Sequence, residues 1–373
     1  MRPVPEALMP WISEALAPET VLSGLQPVAG DASFRRYFRL HTDTRSVIVC
    51  ESPPEKEKNT EFLGVRHLLE GAGVRVPALI AADNRRGYFL LEDLGDGQLL
   101  PALTASSADA LYQKAIGMLV GLATARVPRV GPGALPAYSA ELLRREMDLF
   151  PVWFVRRLLG APAEAPPPPM FEALCARLLE SAAAQPRVPV HRDFHSRNLM
   201  LLPGGELATI DFQDAVMGPL TYDAASLFKD CYRRWPRARV EGWALALRDA
   251  FLAAGVLSSE LASDTAFLRA FDLIGLQRHI KVLGIFARLH LRDGKDGYLA
   301  DLPRVVAYVE EVFDRYPDEQ AVQDFARWFR GSLRPLIEQQ PWWRVVGGAS
   351  GDDPDGGPDG DRGSVRDGAH DGV

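Results

Sequence analysis

The chain of 373 residues is long enough for one large domain or for two lobes around a cleft. Its 47% hydrophobic and 24% charged residues are ordinary for a soluble globular protein. The net charge of −7 lies mostly in residues 351–373, which hold seven Asp and two Arg, so the rest of the chain has no basic surplus that would indicate nucleic-acid binding.

Three widely spaced cysteines, Cys50, Cys175 and Cys231, form no CxxC pair and indicate a reducing compartment rather than a disulfide framework. The N-terminus MRPVPEALMP has Pro and Glu where a signal peptide needs an uninterrupted apolar core. The most apolar helix candidate, residues 271–291, carries several basic residues and is predicted to be buried rather than membrane-spanning. We therefore predict a cytoplasmic monomer that binds neither membrane nor nucleic acid.

The first part of the chain has the pattern of a small sheet. SFRRYFRL (33–40) and SVIVCE (46–51) are rich in β-branched and aromatic residues and are joined by a turn-like HTDT. NTEFLGVRHLLEGAG (59–73) has helical periodicity and ends in Gly, and VPALIAAD and GYFLLEDL read as two further strands. We expect residues 1–96 to form an N-lobe, an antiparallel sheet with one helix.

After Gly97 the periodicity becomes helical. Helices are expected around a proline-rich loop at 161–170 and again over 224–338, with a short hairpin at LMLLPGGELATIDF (199–212). Residues 97–346 are therefore predicted to form a mainly helical C-lobe. Residues 347–373 are rich in Gly, Asp and Pro and are predicted to be a disordered acidic tail.

HRDFHSRNLM (191–200) and IDFQD (210–214) concentrate polar residues next to apolar ones. One interpretation is a zinc site, because His191, Asp193 and His195 alternate and would share one face of an extended strand. None of the other histidines forms a second cluster, and a zinc site leaves Asn198 and Asp211 without a role.

The alternative is phosphoryl transfer, which needs positioning, charge neutralisation and a proton acceptor. Asp193 can accept the proton of an incoming hydroxyl. Asn198 and Asp211 stand on opposite arms of the predicted hairpin and offer the hard oxygen ligands that Mg²⁺ prefers. The competing structural interpretation is that Asp193 and Asp211 only cap turns.

HRDFHSRNLM, followed by IDFQDAVMGPLTYDAASL, resembles the catalytic region of the aminoglycoside phosphotransferase and choline kinase-like superfamily. The resemblance covers roughly residues 20–335, including the connector LLEDLGD. Within it, GDASFRRYFRL, ESPPEKE and QRHIKVLGIFARLHLRDGKDGYLADLPR are similar to the bacterial cell-wall amino-sugar kinases. Those enzymes phosphorylate the anomeric hydroxyl of N-acetylmuramate and N-acetylglucosamine in peptidoglycan recycling.

The resemblance implies an α+β, bilobal protein-kinase-like fold that uses ATP and Mg²⁺. Asp193 is expected to be the catalytic base, and Asn198 and Asp211 the metal ligands. His191 is expected to support the loop, while Glu92, Asp93 and Leu94 face adenine with backbone groups.

The phosphate contacts depart from the family pattern. GDASFRRYF has one glycine, and Gly30, Ser33 and Phe34 either present amides to phosphate oxygens or form an ordinary hairpin. SVIVCE lacks the lysine that relatives use to hold the α- and β-phosphates, since Cys50 and Glu51 occupy its place. The candidate replacements for this lysine are Arg35, Lys56 and Lys58. Glu61 matches the acidic residue that pairs with the lysine in the family.

The helix candidate 271–291 is apolar nearly all round, and its cations Arg278, Lys281 and Arg288 fall on one side. They form either salt bridges within the lobe or a basic wall for a lactyl carboxylate. Arg278 and Lys281, with His279 as a weaker candidate, are predicted to bind substrate. Asp223 is predicted to cap the following helix and to brace the catalytic loop.

These observations predict a kinase that makes the 1-phosphate of N-acetylmuramate or N-acetylglucosamine. The sequence does not determine which sugar is preferred. Residue chemistry alone also leaves open whether the C1 or the C6 hydroxyl is phosphorylated. Two alternatives remain: an aminoglycoside or other small-alcohol kinase, which would need an acidic pocket, and an ATP-binding pseudokinase that serves as an interaction module, which the absent lysine favours.

Overall fold

The computed structural model describes residues 3–28, 34–129 and 131–346. Gly30 and Ser33 of the expected phosphate-binding turn, and the expected acidic tail at 347–373, lie outside the described residues.

The N-terminal part is a five-stranded antiparallel sheet with a helix on each face. Its helices are α1 (Leu8–Leu16) and α2 (Asn59–Gly71). Its strands are β1 (Gln26–Pro27), β2 (Arg36–His41), β3 (Ser46–Glu51), β4 (Leu79–Asp83) and β5 (Tyr88–Glu92), in the spatial order β1-β2-β3-β5-β4.

Alternation along the strands explains the two covered faces. Successive side chains of a strand point to opposite sides. In β3, Val47 and Val49 pack into the cluster that contains α1, while Ile48 and Cys50 pack against the cluster that contains α2. The sheet and α2 were predicted, whereas α1 was not.

The rest of the described chain is mainly helical and confirms the predicted α+β fold class. Its helices are α3 (Leu99–Ala102), α4 (Ala108–Ala123), α5 (Ala140–Met147), α6 (Pro168–Ala183), α7 (Tyr222–Phe228), α8 (Arg237–Ala253), α9 (Asp264–Asp293), α10 (Leu302–Arg315), α11 (Gln320–Trp328) and α12 (Arg334–Glu338). π-Helical turns span Phe150–Leu158 and Phe329–Leu333, and 3₁₀ turns span Ser259–Leu261 and Asp296–Asp301.

Two short ribbons carry the polar motif in this helical part. Strand β6 (Arg187–Val190) pairs with β9 (Val216–Pro219), and β7 (Leu199–Leu201) pairs with β8 (Leu207–Thr209). The β7–β8 hairpin agrees with the predicted one. The β6–β9 pair was not predicted, and it brings the start of HRDFHSRN next to the chain that enters α7.

Helix α9 is the central element of the helical part. Nearly every residue from Phe267 to Leu289 is buried, and the helix packs against α5, α6, α7, α8, α10 and the π-helical turn at 150–158. The approach to that turn is closest at Gly284, where a Cβ would come within 2.4 Å of the Leu149 carbonyl carbon. Within the described ranges, no helix combines the length and apolar character needed to cross a bilayer.

We predict that Gly284→Ala lowers stability by about 1–3 kcal/mol, because the added methyl overpacks the contact with Leu149 and Phe150. Gly242→Ala is the matched control, since Gly242 lies in α8 with no atom within 4 Å of the new Cβ. Its higher helix propensity is expected to raise stability by up to about 1 kcal/mol. Denaturant midpoints measure both changes, and a Gly284→Ala midpoint at or above that of the parent chain contradicts the packing.

Candidate active site

The site is built around a tight buried turn, residues 191–198, which connects β6 to β7. The His195 N–H donates to the Asp193 carbonyl at 2.9 Å, and the Asn198 N–H donates to the His195 carbonyl at 2.9 Å. The Asn198 side-chain amide also donates to the Asp193 carbonyl at 3.0 Å. These bonds hold Asp193 and Asn198 in a set relation within the turn.

Two buried carboxylates clamp this turn from outside it. Asp223, in the first turn of α7, accepts the backbone N–H groups of His191 at 2.7 Å and Arg192 at 3.0 Å. Asp230 accepts the Ser196 N–H at 2.9 Å and also its hydroxyl. Burial raises the pKa of Asp223 to about 7, against the lowering effect of the two N–H donors. The predicted bracing of the loop by Asp223 agrees with these bonds, but its predicted helix cap does not form, because Thr221 is the N-cap of α7 and no side chain caps that end. Asp230 was missed.

His191 supports the turn from the side of the hairpin. Its Nε2 lies 3.1 Å from the Ile210 carbonyl and 2.8 Å from the Thr209 hydroxyl. Burial lowers the pKa of His191 to about 4, so the imidazole is neutral at ordinary pH. The ring therefore ties the turn to the segment that carries Asp211.

Two non-glycine residues at the site have left-handed backbones. Arg192 has φ 77° and Asp211 has φ 62°. Such conformations cost about 1–3 kcal/mol and persist only where surrounding bonds impose them, most often at functional sites. Here Arg192 directly precedes Asp193, and Asp211 is a predicted metal ligand.

A cavity of about 340 Å³ lies between the sheet and the helical part. Asn198 and Asp211 line it together, as predicted. Glu92, Asp93 and Leu94 line it at the connector, also as predicted. Apolar residues from both sides complete the walls, among them Ile48, Phe62, Leu91, Met200, Ile210 and Phe212.

Asp193 does not line this cavity but a second, small one of about 10 Å³, which it shares with His195, Tyr232 and Arg278. Of the three predicted substrate-binding residues on α9, Arg278 is therefore the one placed beside Asp193. Its Nη1 donates to the Cys231 thiol sulfur at 3.3 Å.

At the connector the acidic side chains are engaged in ion pairs. The Glu92 carboxylate pairs with Arg75 and accepts the Ala78 N–H at 3.0 Å. Asp93 accepts two hydrogen bonds from Arg39 of β2, at 2.7 and 2.9 Å, and Asp96 accepts two more. Arg39 thus fastens the sheet to the connector, a contact that the sequence did not predict.

The region of the missing lysine is arranged differently from the prediction. Arg35 is buried, donates to the Ser52 hydroxyl at 3.0 Å and pairs with Glu57 at 3.4 Å. Glu57 also accepts the Phe34 N–H at 3.0 Å. Glu61, the predicted acidic partner, is exposed in the first turn of α2. The acidic partner of Arg35 is thus Glu57, two residues before α2 begins.

His279 and Lys281, which were also predicted to bind substrate, line neither of these two cavities. The His279 ring stacks on Tyr308 with centroids 4.7 Å apart, and its Nε2 lies 3.0 Å from the Lys229 carbonyl oxygen. Lys281 is fully buried and pairs with Glu146 at 3.2 Å. Helix α9 is enclosed on all sides, so residues on the same side of the helix but in neighbouring turns contact different partners.

Lys281 instead belongs to a buried ionic network behind the turn. Glu146 of α5 also accepts a hydrogen bond from Arg192 at 2.6 Å. The Tyr138 hydroxyl donates to Glu146, and Lys281 donates to the Tyr222 hydroxyl at 3.0 Å. Arg192 is the left-handed residue before Asp193, so this network holds its side chain while Asp223 holds its backbone.

The zinc interpretation finds no support in the described ranges, which contain no group of three His, Cys, Asp or Glu residues arranged to hold a metal ion. His191 faces the β8 end of the hairpin, whereas the His195 ring packs edge-on against Tyr232 with centroids 5.3 Å apart. The alternating residues diverge because the segment is a turn and not a strand.

The bilobal fold, with its cavity between a small sheet and a helical lobe, is that of the protein-kinase-like phosphotransferases. An ADP-bound aminoglycoside phosphotransferase, APH(2'')-Ib, superposes with a TM-score of 0.54 at 12% identity, over 83% of this chain and 99% of that one. Residues 24–270 match the model of the phosphotransferase enzyme family. The chain belongs to this family.

Two curated relatives are similar over most of their length. One, from Pseudomonas putida, is 45% identical over 303 residues, which is 80% of this chain and 86% of the relative. The other, from Pseudomonas aeruginosa, is 43% identical over 297 residues, which is 79% of this chain and 85% of the relative. Both are named N-acetylmuramate/N-acetylglucosamine kinase.

We predict that Lys281→Met destabilises the protein by about 3–5 kcal/mol, because it leaves the buried Glu146 carboxylate short of a cation. Turnover is expected to fall with it, since Arg192 shares that carboxylate. Denaturant unfolding and initial rates measure the two effects, and Lys295→Met beyond the end of α9 is the control. If Lys281→Met left stability unchanged and raised the KM for an acidic sugar, Lys281 would be a substrate ligand.

Proposed function

We propose that this chain is an ATP-dependent kinase that phosphorylates the anomeric hydroxyl of N-acetylmuramate or N-acetylglucosamine. The observation that carries the proposal is the joint placement of Asn198 and Asp211 on the large cavity, with Asp193 on the adjoining small one. The names of the two Pseudomonas relatives support the choice of sugar.

In this proposal ATP occupies the large cavity, with adenine against the backbone at Glu92–Leu94 and the phosphates toward Asn198 and Asp211. The cavity volume of about 340 Å³ lies in the range of small-molecule sites. Asp193 accepts the proton of the attacking hydroxyl. Asp193 lines the second cavity, which this proposal assigns to the acceptor.

Magnesium suits the two proposed ligands. Asn198 Oδ1 is buried and, among the described residues, has no hydrogen-bond partner. The Asp211 carboxylate lines the same cavity, with Oδ1 accepting from the Gln213 amide at 2.6 Å. One amide and one carboxylate oxygen suffice for Mg²⁺, which keeps several waters and neutralises phosphate charge when bound.

The acceptor side favours an anionic or neutral sugar over a polycationic aminoglycoside. Arg278 lines the small cavity with Asp193, and Arg304 lies close by, donating to the Cys231 carbonyl at 2.8 Å. The small cavity of about 10 Å³ holds no more than a water molecule, so side chains there must move to admit a sugar. We place the reaction in the cytoplasm, where ATP is available and the buried free thiols Cys50, Cys175 and Cys231 stay reduced.

Phosphorus NMR of the product made from ATP and N-acetylmuramate tests the reaction. We expect a sugar phosphate whose phosphorus couples to the anomeric proton, because C1 carries the attacking hydroxyl. Coupling to the C6 protons would reassign the hydroxyl. No product with N-acetylmuramate, N-acetylglucosamine or an aminoglycoside would favour the non-catalytic ATP-binding module.

For Asp193→Asn we expect turnover to fall by about 10²–10⁴-fold, the usual contribution of a positioned general base. Nucleotide affinity is expected to change little, because Asp193 does not line the large cavity. Initial rates and calorimetric titration with ADP measure these two quantities. Asp324→Asn in α11, at a side chain that is 41% exposed, serves as the control. Near-parental turnover of the Asp193 variant would remove the assigned base.

A further inference from the structure

Phosphoryl transfer needs a cation besides the metal near the transferring group, and strand β3 does not supply one. Cationic side chains stabilise the charge that spreads over the phosphoryl oxygens in the transition state. Cys50 and Glu51 occupy the expected lysine position, and both are buried. Glu51 accepts a hydrogen bond from Arg36 at 2.6 Å, so its charge is already engaged.

The three replacements considered from the sequence do not line the large cavity. Lys56 is exposed and lies 5.6 Å from the Phe34 ring centroid, and Lys58 is exposed just before α2. Arg35 is buried against Ser52 and Glu57. Residues 29–33, which the structure does not describe, contain neither Lys nor Arg.

Among the described residues that line the cavity, the cations are Arg39 and Arg197. Arg39 is held at the connector end by Asp93 and Asp96, and these carboxylates raise its pKa. Its charge is therefore matched by two acidic residues of the connector. Arg197 precedes Asn198 directly and stands at the metal-ligand end.

Arg197 also contacts a wall residue of the small cavity. Its guanidinium carbon lies 3.9 Å from the centroid of the Tyr232 ring, and Tyr232 lines the small cavity together with Asp193. The side chain of Arg197 therefore lines the cavity proposed for ATP and also touches a residue of the cavity that holds the proposed base. In the proposed reaction the phosphoryl group passes from ATP in the first cavity to an acceptor in the second.

The position of Arg197 is fixed in advance at both ends. The backbone N–H of Ser196, the preceding residue, donates to Asp230 at 2.9 Å. The Tyr232 N–H donates to the same carboxylate at 3.0 Å. One buried acid thus holds the chain before Arg197 and the ring beneath its guanidinium, the type of preorganisation that makes a charge effective in a transition state.

We propose that Arg197 is a catalytic residue that binds the transferring phosphoryl group and so supplies a phosphate-binding cation that strand β3 lacks. The inference rests on the proposed kinase function. In the step, the bond from the acceptor oxygen to the γ-phosphorus forms while the bond from that phosphorus to the β,γ-bridging oxygen breaks. The acceptor proton passes to the Asp193 carboxylate, ADP leaves with the bonding electron pair, and Arg197 keeps its charge throughout.

Kinetics of Arg197 variants test the proposal. For Arg197→Ala we expect kcat to fall by about 10²–10³-fold, as for other lost transition-state donors. Arg197→Lys keeps the positive charge but lacks the planar guanidinium, and its kcat is expected to fall less than that of Arg197→Ala. Arg327→Ala in α11, whose side chain is 69% exposed, is the control and should match the parent chain.

Added guanidinium ion separates a chemical role from a structural one. We expect millimolar guanidinium to restore part of the Arg197→Ala turnover by filling the space beside Tyr232, and to leave Arg327→Ala unchanged. Failure of guanidinium to restore any turnover, or a kcat for Arg197→Ala within about threefold of the parent value, would overturn the proposal, since donors of this kind contribute far more.

A measurement without any sugar distinguishes failure of this inference from failure of the proposed function. Affinity for Mg·ADP is compared with affinity for Mg·ADP plus fluoroaluminate, a mimic of the transferring phosphoryl group. We expect fluoroaluminate to raise the affinity of the parent chain for Mg·ADP at least about tenfold, since transition-state analogues bind more tightly. Arg197→Ala is expected to lose this increase in affinity while binding Mg·ADP alone as the parent chain does. An equal gain in both chains, or none in the parent, contradicts the role of Arg197. Absence of sugar turnover in a parent chain that shows the gain rejects only the acceptor.

Discussion

The hydrogen bonds from the turn 191–196 to Asp223 and Asp230 are the constraint on which the rest of the site depends. A turn of this shape leaves backbone N–H groups without partners in the turn itself, and buried N–H groups must be satisfied. The two carboxylates satisfy them from α7 and from the segment after it. Because α7 packs on α9, the buried central helix determines where the turn, and with it Asp193, lies.

Buried charges behind the turn follow from the same constraint. Isolated charges are costly in an apolar interior, and removing one partner of a buried pair costs more than the pair contributes. Glu146 is matched by Arg192 and Lys281, and Asp272 is matched by Lys229 and by Arg237. The first group supports the left-handed Arg192, and the second joins the segment after α7 to α8 and α9. Basic residues on a buried helix are here positioning elements more than a binding surface.

Much of the fold could be predicted because it depends on local patterns. Alternation in SVIVCE, the periodicity of residues 59–71 and the glycine pair of the β7–β8 hairpin each have a single structural solution. Helix α1 escaped prediction because nine residues form a stable helix only when packed, and its partners Phe38 and Leu40 lie in a strand much further along the chain. The sequence likewise held no sign that Glu57, rather than Glu61, pairs with Arg35.

What the amino-acid sequence determined by itself is the chemistry of the central turn: an Asp, an Asn five residues later and an Asp across a hairpin, brought near one another by short-range connections. Tertiary structure decided which of the distant charges reach the cavities. Arg278 and Lys281 lie three residues apart on one helix, yet one meets the small cavity and the other Glu146. A helix buried on every side gives each turn a different neighbour, and those neighbours come from segments that no local pattern connects.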